Sequence, residues 1–400
     1  MNGMVKFSHR SGSSRVINPL WNAFLDRKKR GEKVLNLTES NPTRSRIPYP
    51  ARLLNGFSQP SGLIYDPDPK GNIRGRRAVG EYYREKGIHV SPERIFLTAS
   101  TSEAYHFLFR LFFDPGDSIL IPRPGYPLLD SLCRQNDINI EFYPVFYDGL
   151  QWKTDLLSME NRIHSRTRAI LLVHPNNPTG SYFDTAEQEQ ISLLAARKRL
   201  PLIVDEVFFD FLRPSGGSPK SFAGNRKALT FTLSGLSKAA GLPQVKISWI
   251  VASGPLSSLK ESLARLEVIA DTSLSVNTPA SIHIKELLGW GKKFRRIVQE
   301  RIERNLLLLD DSAKKLRTVN VLTVEGGWYA ILRLPHIQTD EAWALALLKK
   351  EGVLAYPGHF FDLGEEAVLV VSLLVPEPLF EKGVKKIARL VSGALISSPS

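Results

Sequence analysis

The sequence predicts an α/β protein: a large part on a mostly parallel sheet of the seven-stranded type covered by helices, and a smaller α+β part from the C-terminal region and the N-terminal segment. Three observations predict it. Between residues 94 and 255, short continuous apolar runs alternate with segments of helical period, and strands that are apolar on both faces belong in a parallel sheet covered on both sides. About the last ninety residues mix strands and helices without that alternation. A chain of 400 residues, 42% hydrophobic and 23% charged, can bury one large core and a smaller one. The expected division is 46–285 for the large, ligand-binding part and 1–45 with 286–400 for the small one.

In chain order, residues 15–30 read as a short helix and Val34–Leu37 as a strand ending in the polar loop Thr38–Arg44. Ile64–Gly71 is irregular and stiffened by Pro67 and Pro69; a helix over 72–86 follows. Ile95–Thr98 is a strand, and Ser100-Thr101-Ser102-Glu103 has capping-box spacing before a helix Ala104–Phe113. Ser118–Ile121 is a strand closed by the turn Pro122–Pro127. Further strands are expected at Ile140–Tyr143, Ala169–Val173, Leu202–Val204, Leu229–Leu233 and Ile247–Ala252, with helices at 127–137, 155–164 and 185–198. Residues 256–316 are long and helical. Strands at Val321–Val324, Trp328–Arg333 and Ala367–Leu373 and helices at 339–351 and 377–392 complete the chain, with a Ser/Pro tail at 397–400.

Composition excludes several classes of function. The single cysteine, Cys133, rules out an internal disulfide framework and fits a reducing compartment. The longest apolar run, Ala367–Val375, is too short to cross a bilayer as a helix, so no membrane partner and a cytoplasmic location are expected. Residues 1–15, basic and Ser-rich, read as a disordered leader. The net charge of +13 is scattered, as in Arg197-Lys198-Arg199 and Lys292–Arg296, without a long block or interleaved aromatics. That pattern reads as a solvated basic surface that favours small anions, not as a nucleic-acid interface.

Chemistry concentrates at strand ends. Lys238, in Ser234-Gly235-Leu236-Ser237-Lys238-Ala239-Ala240-Gly241, stands just beyond an apolar strand among small residues, where desolvation can lower its pKa and a planar aldehyde can be admitted. It reads either as a Schiff-base nucleophile or as a surface lysine of a loop. Ser100 and Thr101 open a helix, which suits a phosphate or simply a cap. Tyr126 follows Pro-Gly in a turn, as a stacking platform or a packed tyrosine. His174–Gly180 is a loop of hydrogen-bonding groups between prolines, and Asp205 ends an apolar strand where a lone carboxylate is costly.

Together, Asn177-Pro178-Thr179-Gly180, Asp205, Ser237-Lys238 and Lys246 resemble the class I/II aminotransferases, which are fold type I pyridoxal 5′-phosphate enzymes. The resemblance runs from about Leu35 to the C-terminal helix. It implies that Lys238 forms a Schiff base with the cofactor and then shuttles a proton, and that Asp205 pairs with the cofactor's pyridine nitrogen. It further implies that Asn177 meets the phenolic oxygen, that Tyr126 stacks on the ring, and that Ser100, Thr101 and Lys246 hold the phosphate. Tyr65 matches the position that reaches the phosphate from a neighbouring subunit, which implies a homodimer. The implied activity moves an amino group between an amino acid or amine and a keto acid, and no metal is called for.

The departures from the family are also specific. The usual phosphate-binding arginine is Lys246, which loses the two-pronged geometry. The serine usual three residues before the lysine is Gly235. A tyrosine that commonly meets the phenolate is Phe208, a loss expected to raise the Schiff-base pKa. An arginine expected to fork onto the substrate carboxylate is Val370, which leaves Arg44, Arg46, Arg333 and His359 as candidate partners, or a substrate without an ordinary α-carboxylate. The competing readings are a lyase, decarboxylase or racemase using the same cofactor, and a non-catalytic protein that keeps the fold to bind a ligand.

Overall fold

A computed structural model describes residues 5–12, 18–213, 219–274, 276–364 and 367–397. Its centre is an eight-stranded sheet. In spatial order the strands are Ile95–Thr98, Ser248–Ser253, Thr230–Gly235, Leu202–Asp205, Thr167–Val173, Ser118–Arg123, Asn139–Tyr147 and Trp152–Thr154. The five from Thr230–Gly235 to Asn139–Tyr147 are mutually parallel, while Ser248–Ser253 runs antiparallel to both of its neighbours. The eighth strand, Trp152–Thr154, escapes the apolar-run criterion because it is a three-residue hairpin partner at the edge.

Side chains along these strands alternate between two buried layers. Ile119, Ile121, Leu171 and Ile203 pack on one face with the helix Thr101–Phe112, whereas Leu120, Leu172, Leu202 and Val204 pack on the other with the helix Thr185–Lys198. Burial on both faces is what makes the runs continuously apolar.

The C-terminal part holds a four-stranded antiparallel sheet in the order Asn320–Val321, Tyr329–Arg333, Val368–Ser372, Tyr356–Pro357. Leu35–Asn36 pairs in parallel with Val353–Leu354, which ties the N-terminal segment to this region. Some expectations need correction. The run Val321–Val324 is strand only at its start, because Leu322 onward turns toward Gly326 and Gly327. The helical stretch 256–316 is broken into Leu256–Asp271, Thr278–Ser281 and Ile284–Leu316, and Pro279 stands at the start of the middle piece. The helix over 339–351 loosens into a wider, π-type turn from Leu347.

The candidate leader is not free where it is described: Asp137 Oδ1 accepts from His9 Nε2 at 2.9 Å, and Arg10 pairs with the same carboxylate. Residues 1–4 and 13–15 of that stretch, and 398–400 of the tail, lie outside the described residues. Among the described residues, no helix is long and apolar enough to cross a membrane.

Asn305, fully buried in the long helix Ile284–Leu316, donates from Nδ2 to the carbonyls of Leu373 and Val375, each at 2.8 Å. It fastens the chain just past Val368–Ser372 to the helix. Asn305→Leu strips both carbonyls of their donor and is expected to cost about 2–3 kcal/mol, read as a lower denaturant midpoint; an unchanged midpoint refutes this role.

Candidate active site

The strand Thr230–Gly235 passes directly into the short helix Leu236–Ala239, which carries Lys238. A Cβ on Gly235 would lie 2.9 Å from Cα of Ser248. Only glycine lets the neighbouring strand pair this closely, which accounts for the absence of serine at that position. Lys238 is half-buried, with Nζ 4.7 Å from the centre of the Trp328 ring and 5.2 Å from that of Phe208. Desolvation lowers its pKa to about 8, against the pull of the Asp205 carboxylate, which favours the charged form. A tenth or so of such amines is neutral at pH 7 by this value, far more than for a solvated lysine.

Asp205 ends the strand Leu202–Asp205 and is buried. Its Oδ2 accepts from the Tyr105 hydroxyl at 2.7 Å, and its Oδ1 from the Val207 amide at 3.0 Å. Burial raises its pKa, while these two donors and Lys238 hold it down. Three groups thus favour the charged form of a carboxylate whose burial opposes it.

The loop after Thr167–Val173 is fixed from within. Asn176 accepts from the Thr179 hydroxyl at 3.0 Å and Gly180 donates to the Asn176 carbonyl at 2.9 Å. Gly180 has φ +75°, and a Cβ there would strike the Gly326 carbonyl oxygen at 2.4 Å, so the loop rests on the segment that leads to Trp328. Asn177 Oδ1 is buried and finds no hydrogen-bond partner among the described residues. Tyr126 is 44% exposed, yet burial and the charge of Asp205 raise its phenol pKa. An open ring beside a buried carboxylate is a surface on which a flat ligand can lie.

Ser100 caps the helix Thr101–Phe112, its Oγ accepting from the Glu103 amide at 3.1 Å. The reciprocal half of the capping box is displaced: Glu103 accepts from Ala99, not from Ser100. Lys246 is exposed, in the left-handed region at φ +58°. The pair Thr98–Ser248 closes the ladder, so Ser100 follows one strand and Lys246 precedes the other at the same edge of the sheet. Ser100, Thr101, Tyr126, Asn177, Asp205, Lys238 and Lys246 therefore share one edge of the sheet.

Tyr65 is 74% exposed. Val370 is fully buried under Tyr356 and Ile331, with which it pairs. Of the candidate carboxylate partners, Arg44 and Arg46 are exposed, Arg333 lies over the Tyr147 ring at 5.7 Å, and His359 leans on Asp340 at 3.1 Å. Tyr329 shares a hydrogen bond with Ser40, which brings the Thr38–Arg44 loop to the C-terminal sheet.

Two residues escape the sequence reading. Tyr105 is a polar tip on the buried face of an apolar helix, four residues after Thr101, and that placement was the available signal. Trp328, following two glycines at the start of a strand, carried no signal until its neighbours were known.

An amine made partly neutral, a buried carboxylate, an amide with an unmet oxygen, an open aromatic face and a capped helix end with a lysine at the same edge are the donor set that pyridoxal 5′-phosphate requires, and they fit it. Relatives agree. The chain is 24% identical over 386 residues to the glutamate-pyruvate aminotransferase AlaA of Haemophilus influenzae, covering 94% of this chain and 95% of that protein. It is 28% identical to an alanine aminotransferase of Mycobacterium bovis, over 83% of this chain and 79% of the relative. An aminotransferase structure from Escherichia coli superposes with a TM-score of 0.85 at 25% identity, over 98% and 99% of the two chains. The sequence profile described as aminotransferase class I and II matches residues 32–387, and the chain belongs to that family of pyridoxal-phosphate-dependent, amino-group-transferring enzymes.

Proposed function

We propose that Lys238 is the residue that binds the cofactor covalently and then serves as the base at the substrate α-carbon, in a transamination between an amino acid or amine and a keto acid. The observation that carries the assignment is the desolvated Lys238 amine set within the field of buried Asp205, at the edge where the other ligand-binding groups gather. When bound, pyridoxal 5′-phosphate supplies an aldehyde and an electron-withdrawing ring that stabilises negative charge on the substrate α-carbon. Asp205 would keep the ring nitrogen protonated, and Tyr105 would keep Asp205 ionised. Asn177 would meet the phenolic oxygen, and Tyr126 would cover one ring face. Ser100, Thr101 and Lys246 would hold the phosphate. The proposed boundaries are 46–285 and 1–45 with 286–400, and the proposed location is the cytoplasm. The names of the relatives make glutamate, alanine and pyruvate the first substrates to try.

We also assign Tyr65 to the site of a second copy of this chain. Leu54, Leu63, Ile64 and Tyr65 are 70%, 90%, 64% and 74% exposed, a run of large apolar side chains that a monomer would leave in water.

Three outcomes test these assignments. Wild-type protein incubated with pyridoxal 5′-phosphate should show a visible absorption band that an amino donor bleaches, and Lys238→Ala should show neither; a bleachable band in the variant removes Lys238 from its role. Tyr105→Phe takes away a hydrogen bond that favours ionised Asp205, so the Asp205 pKa rises further and the protein loses the ionised form at higher pH. The acid limb of the kcat profile should move up by roughly one unit, and an unmoved limb would show that Tyr105 does not support Asp205. Light scattering should give twice the mass of the chain, and Tyr65→Phe should weaken cofactor affinity by roughly tenfold; a fully active monomer contradicts the shared site.

A further inference from the structure

We infer that Trp328 and Phe208 form an aromatic cradle that holds the free Lys238 ammonium over their faces, with Trp328 the principal positioning residue. The inference rests on Lys238 being the cofactor lysine. It goes beyond that assignment by naming what holds the amine whenever it is not covalently engaged.

The geometry is direct. Lys238 Nζ stands 4.7 Å from the Trp328 ring centre and 5.2 Å from that of Phe208, both within the roughly 6 Å at which a cation is drawn to the face of a ring. The two rings meet each other edge-to-face at 5.3 Å and 75°, so they form one rigid corner. Phe211 at 5.1 Å and Phe294 at 6.3 Å also pack on the indole, and the Leu373 amide donates to the Trp328 carbonyl at 2.7 Å. Trp328 is fully buried, so it has no freedom to turn aside.

The indole nitrogen supplies the second argument. Trp328 Nε1 is buried and finds no hydrogen-bond partner among the described residues. An unmet buried donor is destabilising, and phenylalanine or leucine, though smaller, would carry no such penalty. Tryptophan is therefore not explained by its N–H within the protein. What it offers above the alternatives is its face, the strongest cation-binding surface among side chains. Phe208 fits the same account: without a hydroxyl it cannot hydrogen-bond the amine, and it presents a ring instead. Asp205 is the charged group that acts on Nζ, and it favours the ammonium in the same sense as the rings. Desolvation opposes both. The cradle offsets part of that opposition while leaving the amine in a dry place.

The test uses full-length protein freed of cofactor, to which pyridoxal 5′-phosphate is returned at a series of pH values while the visible band is followed. Covalent capture needs the Nζ lone pair to attack the aldehyde carbon, with one water leaving, so the rate reports the neutral fraction of Lys238. Rings that favour the ammonium raise its pKa. Trp328→Leu should therefore lower the pH of half-maximal capture by roughly half a unit to one unit. Trp328→Phe should fall between it and wild type, and Phe208→Leu should give a smaller shift than Trp328→Leu. A packing role alone would lower the melting temperature of these variants without ordering their midpoints this way. Midpoints that do not move, or that rise, overturn the cradle. Should Trp328→Leu fail to fold, Trp328→Phe and Phe208→Leu carry the same comparison. If wild type captures nothing, the Lys238 assignment fails, and the cradle with it; capture with an unshifted midpoint leaves that assignment standing and removes the cradle alone.

Discussion

Strand direction is the constraint on which this molecule depends. Strands that run parallel end together, so whatever follows each of them is delivered to a common edge. Ile95–Thr98, Ser118–Arg123, Thr167–Val173, Leu202–Asp205 and Thr230–Gly235 all run one way, and they are followed by Ser100, Tyr126 and Asn177, end in Asp205, and are followed by Lys238. The one reversed interior strand, Ser248–Ser253, begins where the others end, and so it contributes from its start: Lys246 lies two residues before it. Residues spread over almost 150 positions of sequence meet because of this polarity, and no long-range attraction between them is needed.

The edge is also where the fold gives up stability. A carboxylate and an amine in a desolvated place each have a lost hydration shell to replace. Asp205 replaces it with the Tyr105 hydroxyl, the Val207 amide and the Lys238 charge, whereas Lys238 has only Asp205 and two ring faces. Asp205 is supplied with hydrogen-bond donors, whereas Lys238 rests on two ring faces and a single opposite charge. The apolar layers on both faces of the sheet supply the stability that the edge spends.

The fold was largely legible because its signal is local. Apolar runs such as Ile170–Val173 and Leu202–Val204 are unbroken by polar residues since both sheet faces are covered, and that pattern needs no knowledge of partners. The placement of Lys238, Asp205 and Asn177 at strand ends was legible because each stands at or just past a readable apolar strand. What was not legible depends on neighbours far away in sequence. Val353–Leu354 is strand only because Leu35–Asn36 lies beside it, and two residues are too few for a period to show. Val321–Val324 has the composition of a strand, but the turn at Gly326 and Gly327 pulls most of it away from the ladder. Tyr105 and Trp328 gained meaning only from what they touch, Asp205 in one case and Lys238 in the other.

Trp328 also lies where two parts of the chain meet. Its strand belongs to the C-terminal antiparallel sheet, while the glycines before it press on the Asn177 loop of the central sheet, with Gly326 against Pro175 and Gly180. The contact with Gly180 is backbone-close, since a Cβ on Gly180 would come within 2.4 Å of the Gly326 carbonyl oxygen, and a Cβ on Gly326 would also come within 2.8 Å of the Pro175 ring, so neither loop can shift without displacing the other. One of the contacts that register the C-terminal part on the central sheet is thus glycine to glycine, two residues before Trp328 on one side and three after Asn177 on the other. A side chain at position 180 or 326 would separate the two loops and move the indole face off the amine. The two glycines act at a distance on chemistry they do not touch, and glycine is required there by the closeness of two backbones, at Gly180 by its φ of +75° as well.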